Sequence, residues 1–239
     1  MTASGIATVH LDVRSHFLDG LTPSDYRAIL AAATQRRLLA NSVITNQGHP
    51  ADHLFLLTTG LARFFLVTEE GRKLLFRWIG PGDLFGGRTI LSNPSSYLFN
   101  TETVTDSSVL VWDRPTIRGF VERNSRLLEN ALLTASDYVA WHVASHISLA
   151  CHTVRERAAQ VLVTLARTIG QETPGGVELK ITNEELANAA NITAFTASRL
   201  ISKWQRDRAL VKCRGKVLLR SPERLFLQTR MVHGQVATA

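Results

Sequence analysis

Cysteine is almost absent from this chain. Cys151 and Cys213 are the only two in 239 residues, and neither belongs to a Cys-x-x-Cys pair or stands near a histidine at metal-ligand spacing. That excludes a disulfide framework and removes the sequence basis for a zinc or iron–sulfur site, so both are expected as reduced thiols. Long apolar runs are lacking too: none approaches the roughly 18 residues that cross a bilayer. Nor does the chain start with a basic stretch, an apolar core and a cleavage site, so a cytoplasmic location without a membrane partner is expected. Proline is missing from about Arg118 to Cys151, where Gly119 is the sole glycine, and this predicts one long helix. Acidic charge is scarce in one part only. Residues 154–239 hold 14 Lys and Arg against 7 Asp and Glu, while residues 1–153 hold 13 of each, so the net charge of +7 lies entirely in the C-terminal part. Clustered positive charge supplies phosphate contacts and counterion release, which makes nucleic acid the expected partner of that part.

What stands in the basic part is a pattern of two short helices about a tight turn, from Ile181 to Ile201. Thr182 and Glu185 have the spacing of a capping box, so a helix starts at about Asn183. Leu186, Ala187 and Ala190 share its inner face, and Asn191 can take the left-handed conformation that ends it. With Ile192 at the corner, a second helix runs from Thr193, burying Ala197, Leu200, Ile201 and Trp204. It turns Phe195, Ser198, Arg199, Ser202, Lys203 and Arg206 outward, where a major groove could take them. An ordinary amphipathic hairpin would share this pattern but would not require the basic excess. Leu210–Cys213 and Lys216–Leu219, flanking Arg214-Gly215, read as a small hairpin, a wing.

With 45% hydrophobic residues the chain can bury a good core, and the charge split favours two domains. Residues 1–16 lack periodicity and read as a flexible arm. Thr22-Pro23-Ser24-Asp25 opens a helix with a cap, a proline at its first position and an early acid. From about Arg37 to Asp113 short β-rich runs (Leu54–Leu57, Leu61–Val67, Leu74–Ile79, Ser108–Trp112) alternate with turn signals, which predicts an antiparallel roll over residues 17–117. The long helix occupies 118–153. Its residues Leu128, Leu132, Ala135, Val139, His142, His146 and Leu149 follow the 4-3 spacing of a parallel coiled coil and read as a homodimer seam rather than as packing on the roll. A helix from Val154 to Ile169 then opens residues 154–239, with Gln171 to Gly176 as a polar loop. The expected fold is α+β: an N-terminal antiparallel β-roll of the double-stranded β-helix or jelly-roll kind, a long dimerisation helix and a C-terminal winged helix-turn-helix.

This arrangement resembles the Crp/Fnr family of bacterial transcription regulators over nearly the whole chain. The most specific segments are Gly80-Pro81-Gly82-Asp83-Leu84-Phe85-Gly86, Val154-Arg155-Glu156-Arg157-Ala158-Ala159-Gln160-Val161-Leu162 and the helix-turn-helix. The resemblance implies a small effector bound in the roll by Leu84, Phe85, Gly86, Gly87, Arg88 and Tyr97, with Tyr138 and His142 facing it from the long helix. It further implies a pseudo-palindromic duplex as the DNA partner and contact with RNA polymerase. The DNA-contacting set it implies is Thr182, Thr193, Ala194, Phe195, Thr196, Ser198, Arg199, Ser202 and Lys203.

Departures from the family pattern narrow these expectations. In cyclic-AMP-binding members a glutamate follows Gly86 and binds the ribose, and an Arg-Ser pair about ten residues later binds the phosphate. Here Gly87 and Ser96-Tyr97-Leu98-Phe99 stand in those places, and an unpaired buried phosphate is costly, so cyclic AMP is not expected as the ligand. Arg88 is either an anion ligand of another kind or a loop charge. The N-terminal cysteines of iron–sulfur members are missing. His142 and His146, one turn apart, have the spacing of a haem or metal pair, but polar seam residues are the expected reading. His49 and His53 lack the His-x-His and downstream glutamate of a cupin-type site and read as loop residues. On the recognition helix Arg199 is kept and can pair with a guanine edge. The family's cytosine-reading glutamate is replaced by Phe195, which either packs on a thymine methyl or folds back on its own domain. The resulting expectation is a homodimeric, sequence-specific regulator and not an enzyme, controlled by an unidentified small effector or a haem or redox signal. The alternative is a ligand-binding or metalloenzyme roll whose winged half mediates protein contacts.

Overall fold

The computed structural model describes residues 15–226, apart from 70, 72 and 94. The expected N-terminal arm therefore lies outside the described residues up to residue 14. Ser15 and His16 belong to ordered structure: Ser15 is buried and donates to the Gly82 carbonyl at 2.8 Å, and a short 3-10 turn at His16–Leu18 delivers Phe17 and Leu18 to the core.

Helix α1 (Pro23–Ala31) starts as its sequence dictates, with Thr22 accepting from the Asp25 amide and proline at the first position. Eight strands follow: β1 (Thr34–Leu38), β2 (Val43–Thr45), β3 (His53–Thr59), β4 (Ala62–Val67), β5 (Lys73–Ile79), β6 (Leu84–Phe85), β7 (Asn100–Thr103) and β8 (Ser107–Asp113). They form two four-stranded sheets, β1-β8-β3-β6 and β2-β7-β4-β5, and β8 lies antiparallel to both β1 and β3. His53, expected in a loop, is the first residue of β3. The unbroken apolar runs of β3 and β8 are explained by burial on both faces: Leu54 to Leu57 and Val109 to Trp112 are all inaccessible or nearly so. One face meets Phe17, Ile29, Ile117, Val121 and Leu127 in the main core, where the Trp112 indole donates to the Ile29 carbonyl at 2.7 Å.

The single helix expected from Arg118 is in fact two, α2 (Arg114–Arg123) and α3 (Ser125–Cys151). Asn124 makes the break. Its backbone is extended, and its side-chain oxygen accepts from the Arg126 amide at 3.1 Å, a local bond that competes with helix continuation.

Beyond α3 come α4 (Val154–Ile169), β9 (Gln171–Thr173), β10 (Gly176–Leu179), α5 (Asn183–Ala190), α6 (Ala194–Arg206), β11 (Leu210–Cys213) and β12 (Lys216–Leu219). The segment expected as a polar loop at 171–176 is a hairpin. Its turn is closed by Thr173 donating to the Gly176 carbonyl at 2.7 Å, and β10 extends the wing into a sheet of order β11-β12-β10-β9. By contacts the chain divides into two compact units. One comprises the chain up to Ala62 together with Trp78–Ser136, and the other Arg63–Arg77 together with the chain from Asp137. No helix among the described residues is long and apolar enough to cross a membrane.

Candidate functional site

The basic part presents its charge on a frame set by helix caps. Thr182 accepts from the Glu185 amide at 3.1 Å while the Glu185 carboxylate accepts from the Thr182 amide at 2.8 Å, so two orphan donors of α5 are satisfied reciprocally. Asn191 ends that helix in the left-handed region at φ +50°, and Thr193 starts α6 by accepting from the Thr196 amide at 3.1 Å. Ala187, Ala190 and Ala197 are buried and small, which lets α5 and α6 approach closely. Ala197, Ile201 and Trp204 fill the inner face of α6, and Leu200 is half-buried.

On the outer face Ala194, Phe195, Arg199, Ser202 and Lys203 are exposed, and Thr196 and Ser198 are half-exposed. Phe195, Ser198, Arg199, Ser202 and Arg206 line a shallow groove along α6. Phe195 does not fold back onto its domain: it is 71% exposed, with the guanidinium carbon of Arg199 5.8 Å from its ring centre. Thr182 and Thr193 stand exposed at the two helix N-termini, where backbone amides and the helix dipole favour an anion.

Three features of this surface were not found by pattern. The Arg157 guanidinium donates to the carbonyls of His152 at 3.1 Å, Ala190 at 3.0 Å and Asn191 at 3.3 Å, tying the corner of the helical pair to the start of α4. Arg63, from the β4–β5 hairpin, meets the capping carboxylate of Glu185 at 3.3 Å. In the wing, Lys216 bonds Glu178 at 2.7 Å, and this hydrogen bond together with the carboxylate's charge raises the Lys216 pKa. Arg214 remains exposed at the wing tip beside Gly215. An excess of arginine was visible in the sequence, but the Ala190 and Asn191 carbonyls that Arg157 meets and the Glu185 carboxylate that Arg63 meets lie far along the chain.

In the first unit the expected effector segment is tightly held. Gly86 has φ +77°, and a Cβ there would lie 2.6 Å from the His53 carbonyl oxygen, so only glycine fits. That same carbonyl accepts from Thr89 at 2.8 Å and from the Tyr97 hydroxyl at 3.1 Å, which itself accepts from the His53 amide at 3.0 Å. Burial raises the pKa of Tyr97, partly offset by its bond to the His53 backbone. Leu84 and Phe85 are buried, Phe85 stacking on Phe55 at 5.0 Å. Arg114 donates to the carbonyls of Thr89, Leu91 and Ser92, pinning the 3-10 turn Gly87–Ile90 from behind. Gly87 is exposed, with open space where a side chain would start, and Arg88 is half-exposed, its guanidinium without a partner among the described residues.

Tyr138 and His142 belong to the second unit. Tyr138 lies 6.2 Å from Phe64 and under the Arg77 guanidinium, and His142 stands edge-on to Phe76 at 4.8 Å. His146 is exposed. Among the described residues no group of three or more His, Cys, Asp or Glu is arranged to hold a metal ion. Of the expected seam, Leu128, Leu132, Val139 and Leu149 are exposed large apolar side chains, and His142 is half-buried. Ala135 is exposed too. Leu133, Val143 and Ile147, outside the strict 4-3 spacing, are exposed as well, so the bare apolar face is broader than that spacing suggests.

Comparison with known proteins agrees with this geometry. Residues 35–124 match the cyclic nucleotide-binding domain family, and residues 156–226 match the Crp-like helix-turn-helix domain family. A CRP-like cAMP-activated global transcriptional regulator of Mycobacterium tuberculosis is 23% identical over 220 residues, covering 91% of this chain and 97% of its own. The transcriptional regulator SdrP of Thermus thermophilus is 28% identical over 171 residues, covering 71% and 80%. Among solved structures, the c-di-GMP-responsive global regulator CLP of Xanthomonas campestris superposes with a TM-score of 0.74 at 19% identity, covering 84% of this chain and all of that one. A CRP/FNR-family transcriptional regulator, also of Thermus thermophilus, superposes at 0.70 with 26% identity, covering 82% and 98%.

Proposed function

Because the chain belongs to the Crp/Fnr family of transcription regulators, a DNA-binding group, we propose that it acts as a cytoplasmic homodimer that reads a pseudo-palindromic duplex through α6. The observation that carries this reading is the division of α6 into two faces. One holds Ala197, Ile201 and Trp204 fully buried; the other leaves Arg199, Ser202, Lys203 and Arg206 exposed in the basic part of the chain. Arg199 offers a planar fork to a guanine edge, Lys203 a point charge to phosphate, and Thr182 and Thr193 the N-termini of two helices to the backbone. Ala194, Thr196 and Ser198 complete the contact surface. The exposed stripe of α3, from Leu128 and Leu132 through Val139 to Leu149, is the seam that pairs two copies, and a two-fold protein matches a two-fold site.

A small effector in the roll, contacted by the turn Leu84–Arg88 and by Tyr97, controls DNA binding by favouring one of two arrangements of the dimer. That effector is not cyclic AMP. Gly87 offers no side-chain acceptor to a ribose, and the Tyr97 hydroxyl is already committed to the His53 backbone. RNA polymerase is a further partner of the winged domain.

A salt series tests the reading. If the exposed cations neutralise phosphates, the logarithm of duplex affinity should fall linearly with the logarithm of salt concentration, by about 0.9 per phosphate contacted. A flat dependence would remove DNA as the partner.

A further inference from the structure

We infer that Phe195 and Arg199 act together as a methyl-sensitive base reader, Phe195 packing on the 5-methyl group of a thymine that lies one or two base pairs from the guanine taken by Arg199. The inference rests on the DNA-reading role of α6 and adds to it the base that the family's glutamate position selects here.

Phe195 is the second residue of α6 and is 71% exposed, whereas the other large apolar side chains of that helix point inward. Its neighbours in the groove are Ser198, Arg199, Ser202 and Arg206, polar or cationic throughout. An apolar protein partner would have to desolvate those cations on docking, whereas a nucleic-acid groove meets them with phosphates and base acceptors. Within a major groove, the one apolar feature a phenyl ring can pack on is the 5-methyl group, because every other exposed base edge is a donor or an acceptor. Phe195 can therefore gain from thymine and from 5-methylcytosine and only lose polar hydration against the rest.

The position of Arg199 fixes where that methyl must be. Its guanidinium carbon is 5.8 Å from the Phe195 ring centre, near the limit of a cation–π contact, so the ring and the fork reach into the same short stretch of groove. With base pairs spaced about 3.4 Å apart, that separation spans one to two steps. A guanine under Arg199 thus puts the methyl under Phe195 in the same short stretch of groove.

The test is site selection from a randomised duplex library with the full chain, then titration of the recovered site with each thymine replaced in turn by deoxyuridine. That exchange removes one methyl and leaves every hydrogen-bonding atom. Affinity should drop about fourfold at one thymine, one or two base pairs from a guanine, the value of one buried methyl. Phe195→Ala, at a site too exposed to disturb the fold, should bind the thymine and deoxyuridine duplexes equally, and Phe195→Glu should shift the preference at that position from thymine to cytosine. Equal affinity of the wild-type chain for every deoxyuridine duplex, or an undiminished methyl effect in Phe195→Ala, would overturn the inference while leaving DNA reading intact. Recovery of no preferred site would overturn both.

Discussion

At the scale of residues, Arg199 and Lys203 lie one turn apart on the same exposed face and carry the same charge, yet they should fail differently. The planar fork of arginine can take both acceptors of guanine, a contact that discriminates by about 1–3 kcal/mol, whereas an ammonium binds phosphate without regard to sequence. Arg199→Ala should collapse the ratio of specific to scrambled duplex affinity and keep most nonspecific binding, and Lys203→Ala should weaken both duplexes by similar factors. Competition binding at fixed salt separates the two, and an unchanged ratio in Arg199→Ala would turn the wrong face of α6 to the DNA. Asp113 gives a second prediction. It caps α2 by accepting from the Thr116 amide at 2.8 Å, and that bond lowers its pKa below the ordinary carboxylate value. A depressed folded-state pKa contributes stability above the unfolded value of about 3.9 and loses it as pH falls through the folded one. Asp113→Asn keeps a capping oxygen without the charge, so its denaturation midpoint should fall below that of the wild type near neutrality and converge with it under acid. Because Asp113 is exposed, the difference should not exceed about 1 kcal/mol. Midpoints that stay parallel across the acid range would count against a charge effect.

At the scale of elements, the bare stripe on α3 is the feature with the largest consequence for assembly. Leu132 and Val139 are 69% and 62% exposed, so replacing both with glutamate removes no internal packing but sets like charges face to face across a seam. Leu132→Glu with Val139→Glu should halve the mass seen by analytical ultracentrifugation and cost most of the affinity for a two-fold site, and an unchanged mass would put the interface elsewhere. The elements also mark how far sequence alone reaches. Helix α4 and both wing strands begin and end where their pattern predicts, because a Thr-x-x-Glu cap and an Arg-Gly turn act within a few residues. The break at Asn124 escaped because the apolar period continues across it from Val121 to Leu127, and only the side-chain bond to Arg126 interrupts the helix. The hairpin at β9–β10 escaped for the opposite reason: β10 is ordered by pairing with β12, Val177 opposite Leu219, a partner too distant for any local pattern to reveal. The outward face of α6 was legible from helical period and charge, whereas the carbonyls gathered by Arg157 became visible only once the chain was folded.

At the scale of the whole molecule, the charge divides along the chain: the roll-bearing part is neutral and the winged part carries the net +7. Salt should thus act on duplex affinity far more than on any ligand of the roll. Cyclic AMP provides the complementary check. A ligand at a hundred times its dissociation constant stabilises a fold by about 2.7 kcal/mol, enough to move a melting curve visibly. With Gly87 and Tyr97-Leu98 in the ribose and phosphate places, millimolar cyclic AMP should leave the melting temperature where it was. A saturable rise would show that the roll has found other partners for those groups.

The two faces of α6 also bear on how such a chain can change over generations. Ala197, Ile201 and Trp204 anchor the helix, and none of them is available to DNA. Phe195, Arg199, Ser202 and Lys203 are exposed, and the fold does not depend on them. A lineage can therefore exchange its reading residues singly, each intermediate still folded, and drift from one operator to another without crossing a valley of unstable proteins.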